Sequence, residues 1–296
     1  MPIPEDSMSP LPFWQLLLML VATLVASRFI AWWLWRALAF SGPRVGRGLT
    51  GLARRPRLGG WFQRRFPATT RAVAARTAVD RFSGLPLTLI AALALYLIFL
   101  GVGLVEDLVE GEELIAFDRR FNDALGVIRN PHVVDLFGWI TGLGNTETLV
   151  AVMLVATGFL WAHGRHRYIP GLVLAVVGSQ ALTYAGKFAF DRDRPDFVTF
   201  ATASTPSFPS AHATGAIAVY GFIIYAIARD LPGMGRRFEL GYWGTVLIAL
   251  IASSRAVLSV HYVSDIAAGL LVGGFWLLSG FALTEYLRQH EGVRRP

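Results

Sequence analysis

Three short clusters hold the residues of this chain whose types and spacing suit chemistry on a phosphate group. The first is Lys187, followed by Arg192, Arg194 and Pro195. Cations held close together form an oxyanion site. Asp191, Asp193 and Asp196 stand near enough to neutralise them, and a snorkelling patch at a membrane interface would use the same residues. The second cluster, Pro209-Ser210-Ala211-His212, lies where an apolar stretch begins. A helix N-terminus presents unpaired N–H groups to an anion, Ser210 can add a hydroxyl donor, and His212 can protonate a leaving oxygen. Plain helix capping by Pro and Ser is the blander reading. The third cluster is Ser254-Arg255, His261 and Asp265. Residues four apart share a helix face, so the Asp265 carboxylate can hold one imidazole nitrogen of His261 as N–H and leave the other free to attack. A buried, satisfied His–Asp pair has the same spacing.

Taken together the clusters specify more than each does alone. A phosphate monoester carries nearly two negative charges, and Lys187, Arg194 and Arg255 supply three positive ones. Ser210 and the first amides of the following helix, including that of Ala211, complete a cradle. His261 would attack phosphorus while His212 protonates the departing alkoxide on the opposite side, in line. Water activated by His212, now a base, would release phosphate from the phosphohistidine. The scheme requires no metal, and no cofactor is expected. The chain has no Cys, which excludes thiolate nucleophiles, thiolate metal sites and disulfides.

The elements that must position these residues are membrane spans. Of the 296 residues, 54% are hydrophobic and 16% charged, with nine Trp, twenty Phe and thirty Gly; soluble domains carry about 25% charge. A helix needs roughly 17 to 25 apolar residues to cross a bilayer. Seven stretches qualify: 12–38, 85–105, 146–162, 168–187, 211–229, 241–258 and 263–284, the third short, interrupted by Gly158, and open to an earlier start near Val133. Glu5 and Asp6 precede the first where a signal peptide would carry basic residues, so it reads as a retained helix. The predicted fold class is all-α, a polytopic transmembrane helix bundle.

Arginine fixes the orientation, because basic loops stay cytoplasmic. Of 27 basic residues only Lys187 is not Arg. The 39–84 stretch holds ten Arg and one acid, and further Arg stand at 165, 167, 229, 236, 237, 288, 294 and 295, all on one side of the seven spans. The 106–145 stretch, with eight acids against three Arg, falls on the other side. The N-terminus is then outside, the C-terminus cytoplasmic, and all three clusters face the periplasm or exterior of the cell (inner) membrane. Topology accounts for the net charge of +7, so a nucleic-acid partner has no support. Trp61, Phe62, Phe66, Val73 and Val79 alternate with Arg64, Arg65, Arg71, Arg76 and Arg81, which suits either a basic stop signal with local helix or an amphipathic helix on anionic lipid. The acidic segment reads as a polar outer cap with short helices over 112–126 and 131–141, broken at Asn130-Pro131.

With their spacing intact, the clusters resemble the signature of the type 2 phosphatidic acid phosphatase (PAP2) family, within the acid phosphatase/vanadium haloperoxidase superfamily. The family pattern is K-x6-R-P, P-S-G-H and S-R-x5-H-x3-D, and Lys187 to Pro195, Pro209 to His212 and Ser254 to Asp265 follow it. The resemblance covers about residues 85–284 and implies a six-span PAP2-like core. Residues 1–84 add an N-terminal transmembrane helix and basic cytoplasmic loop, and 285–296 a cytoplasmic tail. It implies His261 as nucleophile, Asp265 as its orienter, His212 as general acid, and Lys187, Arg194, Ser210 and Arg255 as phosphate ligands. Ala211 departs from the pattern, standing where the family has Gly; a helical backbone there would accept the methyl, and a positive φ would not. The implied activity is a metal-independent phosphoric monoester or diphosphate hydrolase. Its substrate would be a membrane lipid phosphate of the phosphatidic acid, phosphatidylglycerol phosphate, undecaprenyl diphosphate or lipid A type. A lipid phosphotransferase using the same site and a non-catalytic lipid carrier or transporter are the alternatives; binding alone would not need His212, His261 and Asp265.

Overall fold

The computed structural model describes residues 11–53, 64–78, 82–195 and 205–292. All regular elements among them are helices: α1 (Phe13–Ala53), α2 (Pro67–Arg76), α3 (Leu85–Glu110), α4 (Glu112–Ala124), a 3-10 turn (Leu125–Ile128), α5 (Pro131–Gly142), α6 (Thr146–Ala162), α7 (Tyr168–Phe190), α8 (Ala211–Asp230), α9 (Met234–Val257) and α10 (Val263–Gly292). Six of these are long and apolar enough to cross a membrane; α5 and α6, bent by 43° at a short break, make a seventh if taken as one broken span. The earlier start near Val133 that the sequence left open corresponds to α5, if the bent pair is one span.

Several helices outrun the apolar stretches. α1 continues to Ala53, α3 to Glu110 and α10 to Gly292, and α9 begins at Met234. Hydropathy measures the hydrocarbon crossing, whereas Arg, Glu and Ala sustain a helix beyond it. The cap helices end as their residues dictate. Asn130 Oδ1 accepts from the Val133 amide at 3.0 Å with Pro131 in the first turn, which starts α5. Gly111 separates α3 from α4. In the basic loop, α2 carries Arg71, Val73 and Arg76 with no buried residue; Trp61, Phe62, Val79 and Arg81 lie outside the described residues, as does Asp196.

α10 is the centre of the bundle, packing on α7, α8 and α3, while α8 also contacts α9 and α7. Small residues permit the close crossings. A Cβ at Gly171 would lie 2.6 Å from the Gly280 carbonyl oxygen, and one at Gly269 would lie 2.6 Å from that of Ser210. The second contact brings α10 against the first turn of α8, where the site is built. Leu172, Ala175 and Phe222, all fully buried, fill the α7–α8 interface. α1 leans on α9 through Arg28–Glu239, a 2.9 Å Ser27–Tyr242 hydrogen bond and the Trp32 ring on Phe238. Leu11, two residues before α1, donates to the Val127 carbonyl at 3.2 Å, which fixes the start of α1 beside the cap.

Candidate active site

The last turn of α7, the first turn of α8, the last turn of α9 and the first turn of α10 meet at one end of the bundle. They carry Lys187, Ser210 with His212, Arg255, and Asp265. Backbone bonds fix the meeting: the Ser210 amide donates to the Asp265 carbonyl at 3.0 Å, and the Val260 and His261 amides both donate to the Arg255 carbonyl, at 3.1 and 3.2 Å. The turn after α9 therefore folds back on Arg255 and delivers His261, with Ser259 in the left-handed region at φ 54°. Arg129 caps the same helix end, donating to the carbonyls of Val257 at 2.8 Å and Ala256 at 2.9 Å.

His261 is 3% exposed. Its Nε2 lies 3.3 Å from Nη1 of Arg194. A guanidinium has donors only, so Nε2 carries the lone pair and Nδ1 the proton. Nδ1 faces Asp265 Oδ2 at 3.5 Å, a loose approach, and has no closer partner among the described residues. Burial first, then the Arg255 and Arg194 charges, push the imidazole down to about 4 against the pull of Asp265, so it is neutral at pH 7.

Asp265 is fully buried and saturated. Oδ1 accepts from Arg192 at 2.5 Å, and Oδ2 from the Ser207 hydroxyl and from the Tyr262 amide at 2.9 Å. The last contact is that of an acidic residue in the first helical turn reaching back to the residue before the helix, so one carboxylate both starts α10 and faces His261. Arg192 in turn donates to Asp118 on α4 at 2.8 Å, and Asp118 also accepts from the amide of Ser264 at 3.1 Å and from its hydroxyl. Against the lowering effect of burial, the two carboxylates hold the Arg192 pKa above its ordinary value. The neutralising acids are thus Asp265 and Asp118; Asp191 and Asp193 are exposed.

The cations assigned to phosphate converge with His261. Lys187, 2% exposed, donates to the Pro206 carbonyl. Arg194 donates to the carbonyls of Thr205 at 2.9 Å and Val260 at 2.7 Å, and burial lowers its pKa. Arg255 donates to Thr141 at 2.6 Å, and its Nε has no partner among the described residues. Ser210 precedes the helix with extended dihedrals (φ −74°, ψ 111°), but its hydroxyl makes no capping bond and, fully buried, has no partner among the described residues. Simple capping therefore does not account for it. Three cations, one of them with a partnerless Nε, together with the partnerless Ser210 hydroxyl suit an anion. Ala211 is the first residue of α8 and does not have positive φ, so its methyl is accommodated where the family has Gly.

His212, in the first turn of α8, is within electrostatic reach of Arg255, His261, Arg194 and Lys187. Its Nε2 meets Oδ1 of Asn145 at 2.9 Å, and a Cβ at Gly144 would lie 2.9 Å from its ring. The α5–α6 break thus forms one wall of the site. Asn145, Thr141, Asp118 and Ser207 have no place in the three sequence clusters. Among the described residues no group of three or more His, Asp or Glu is arranged to hold a metal.

The PAP2 superfamily model matches residues 169–289, which contain all three clusters. Phosphatidylglycerophosphatase B of Bacillus subtilis (strain 168) is 30% identical to this chain, over 55% of it and 82% of the relative. Decaprenylphosphoryl-5-phosphoribose phosphatase of Mycobacterium tuberculosis is 33% identical, over 44% of this chain and 85% of the relative. The crystal structure of a transmembrane PAP2 type phosphatidylglycerolphosphate phosphatase from Bacillus subtilis superposes with a TM-score of 0.59 at 25% identity, covering 66% of this chain and 96% of that one. With a bundle of membrane-spanning helices whose ends gather the three motifs, this chain belongs to the PAP2 superfamily.

Proposed function

We propose that the chain removes a terminal phosphate from a lipid phosphate or diphosphate at the outer face of the membrane, through a phosphohistidine on His261. As a PAP2 member the chain is a phosphate monoester hydrolase. The observation that carries the intermediate is the setting of His261: a neutral imidazole with its lone pair on the nitrogen beside Arg194 and its N–H toward Asp265. That nitrogen adds to phosphorus as the ester P–O bond breaks, and Lys187, Arg194, Arg255 and Ser210 take up charge on the remaining oxygens. His212 gives its proton to the alkoxide; the incoming phosphate dianion favours the protonated imidazole. Water then loses a proton to His212 and adds to phosphorus, breaking the P–N bond and restoring both histidines.

The relatives' names specify lipid phosphates of two kinds, a glycerophospholipid and a polyprenyl phosphoribose. The site holds residues for the phosphate they share, so phosphatidic acid, phosphatidylglycerol phosphate, undecaprenyl diphosphate and lipid A phosphate are its candidates. Charge supports the outer face. The start of α1 lies at the site end, while Arg165 and the Arg229–Glu285–Arg288 group lie at the other. The test is inorganic phosphate release by the purified chain, in detergent with a chelator present, from a panel of these four lipids. At least one is expected to be turned over by wild type and none by His261→Ala. Chelator-abolished turnover, or turnover unchanged by His261→Ala, contradicts the assignment.

A further inference from the structure

α3 and α7 both pack on α10 and leave between them a groove of about 460 Å³. None of its lining residues has a charged or hydrogen-bonding side chain. At one end it reaches Gly186, Phe208 and Pro209, the chain neighbours of Lys187 and Ser210. From there it follows α3 from Val105 back to Leu97 and α10 from Ala268 to Phe275, about 12 Å into the membrane-spanning region at the helical rise per residue. A second apolar cavity of about 470 Å³, between α6, α7 and α8, includes Ala151 and Phe222, and none of its lining residues adjoins the cradle.

We propose that the α3–α7 groove holds a hydrocarbon chain of the substrate while its phosphate occupies the cradle, which makes the groove the determinant of chain specificity. The inference rests on the lipid phosphatase reading above and adds where the lipid lies. A chain leaving the phosphate past Pro209 meets only apolar side chains, and because it is already out of water, discrimination between chains comes from how they pack against the groove walls. Gly101 is the place to obstruct it, since it lines the groove and a Cβ added there meets no atom within 4 Å.

The readout is the ratio of kcat/KM for a dipalmitoyl lipid phosphate to that for its dihexanoyl counterpart, measured on the purified full chain in mixed micelles. Gly101→Phe is expected to lower this ratio about tenfold, and Ala151→Phe, which fills the second cavity, to leave it at the wild-type value. Gly101→Leu, a smaller obstruction, is expected to shift it the same way by less, and thermal unfolding identifies folded variants. An unchanged ratio in either folded Gly101 variant overturns the groove. So does an equal fall in Ala151→Phe, or a lower Tm with no change in ratio, the mark of a structural bilayer lipid. Wild type that releases phosphate from none of the four candidate lipids would instead overturn the lipid phosphatase reading on which the groove depends.

Discussion

Arg192 lies between two buried carboxylates, donating to Asp265 at 2.5 Å and to Asp118 at 2.8 Å. Asp265 faces His261 from α10, and Asp118 belongs to the cap helix α4, so the cap is coupled to the turn that carries His261 through one guanidinium. Breaking one arm leaves a buried charge short of its partner, at a cost on the order of 3 kcal/mol. Asp118→Asn should therefore lower the unfolding midpoint and reduce kcat more than it raises KM, because its partners are Arg192 and Ser264 and not the residues assigned to phosphate. Thermal unfolding and steady-state kinetics check this; a change confined to KM would place Asp118 in substrate binding instead.

The sequence displays the cradle because its residues fall in three compact clusters on span ends. It conceals Asp118 among eight cap acids, yet a signal is present. Asp118 and Asn122 are four apart on α4, a helix on which Ile115, Phe117 and Phe121 are exposed. That helix buries a carboxylate while three large apolar side chains stay outside, the reverse of a soluble amphipathic helix. The inversion marks Asp118 as a partner for something buried. Asn145 and Thr141 leave no comparable trace, because they act through the break between α5 and α6, which hydropathy reads only as the ragged start of a span. The helix extensions past Leu38, Val105 and Thr284 escape the same measure, since it registers hydrocarbon thickness and not hydrogen bonding.

Burial holds His261 down to about 4, below its ordinary value near 6.5. Between those pH values the unfolded chain binds a proton that the folded chain does not. Stability therefore rises with pH across the window and falls as pH drops from about 6.5 to about 4, by up to roughly 3 kcal/mol. His261→Gln should make that part of the stability–pH curve shallower, as read by thermal unfolding in detergent at pH 4 to 7. An equally steep curve in the variant would assign the slope to other groups.

Ala211 has ordinary helical geometry at the first position of α8. Ala211→Gly, which restores the family residue, is expected to keep kcat/KM within about twofold and to lower stability by less than about 1 kcal/mol through lost helix propensity. A large gain in kcat/KM would indicate that the methyl obstructs the phosphate.

The chain's lack of cysteine makes its orientation directly testable. A single cysteine introduced as Glu113→Cys, exposed on α4 at the site end, should react with an impermeant maleimide on intact cells. His163→Cys, exposed at the opposite end, should react only after permeabilisation. The reverse pattern would turn the site toward the cytoplasm.

The proposed nucleophile can be trapped. Lipid substrate labelled in its terminal phosphate, mixed with protein and quenched in base, should leave base-stable, acid-labile label on wild type and none on His261→Ala. Label that persists on His261→Ala, or folded, active wild type that hydrolyses the lipid without ever retaining label, would contradict a phosphohistidine at His261.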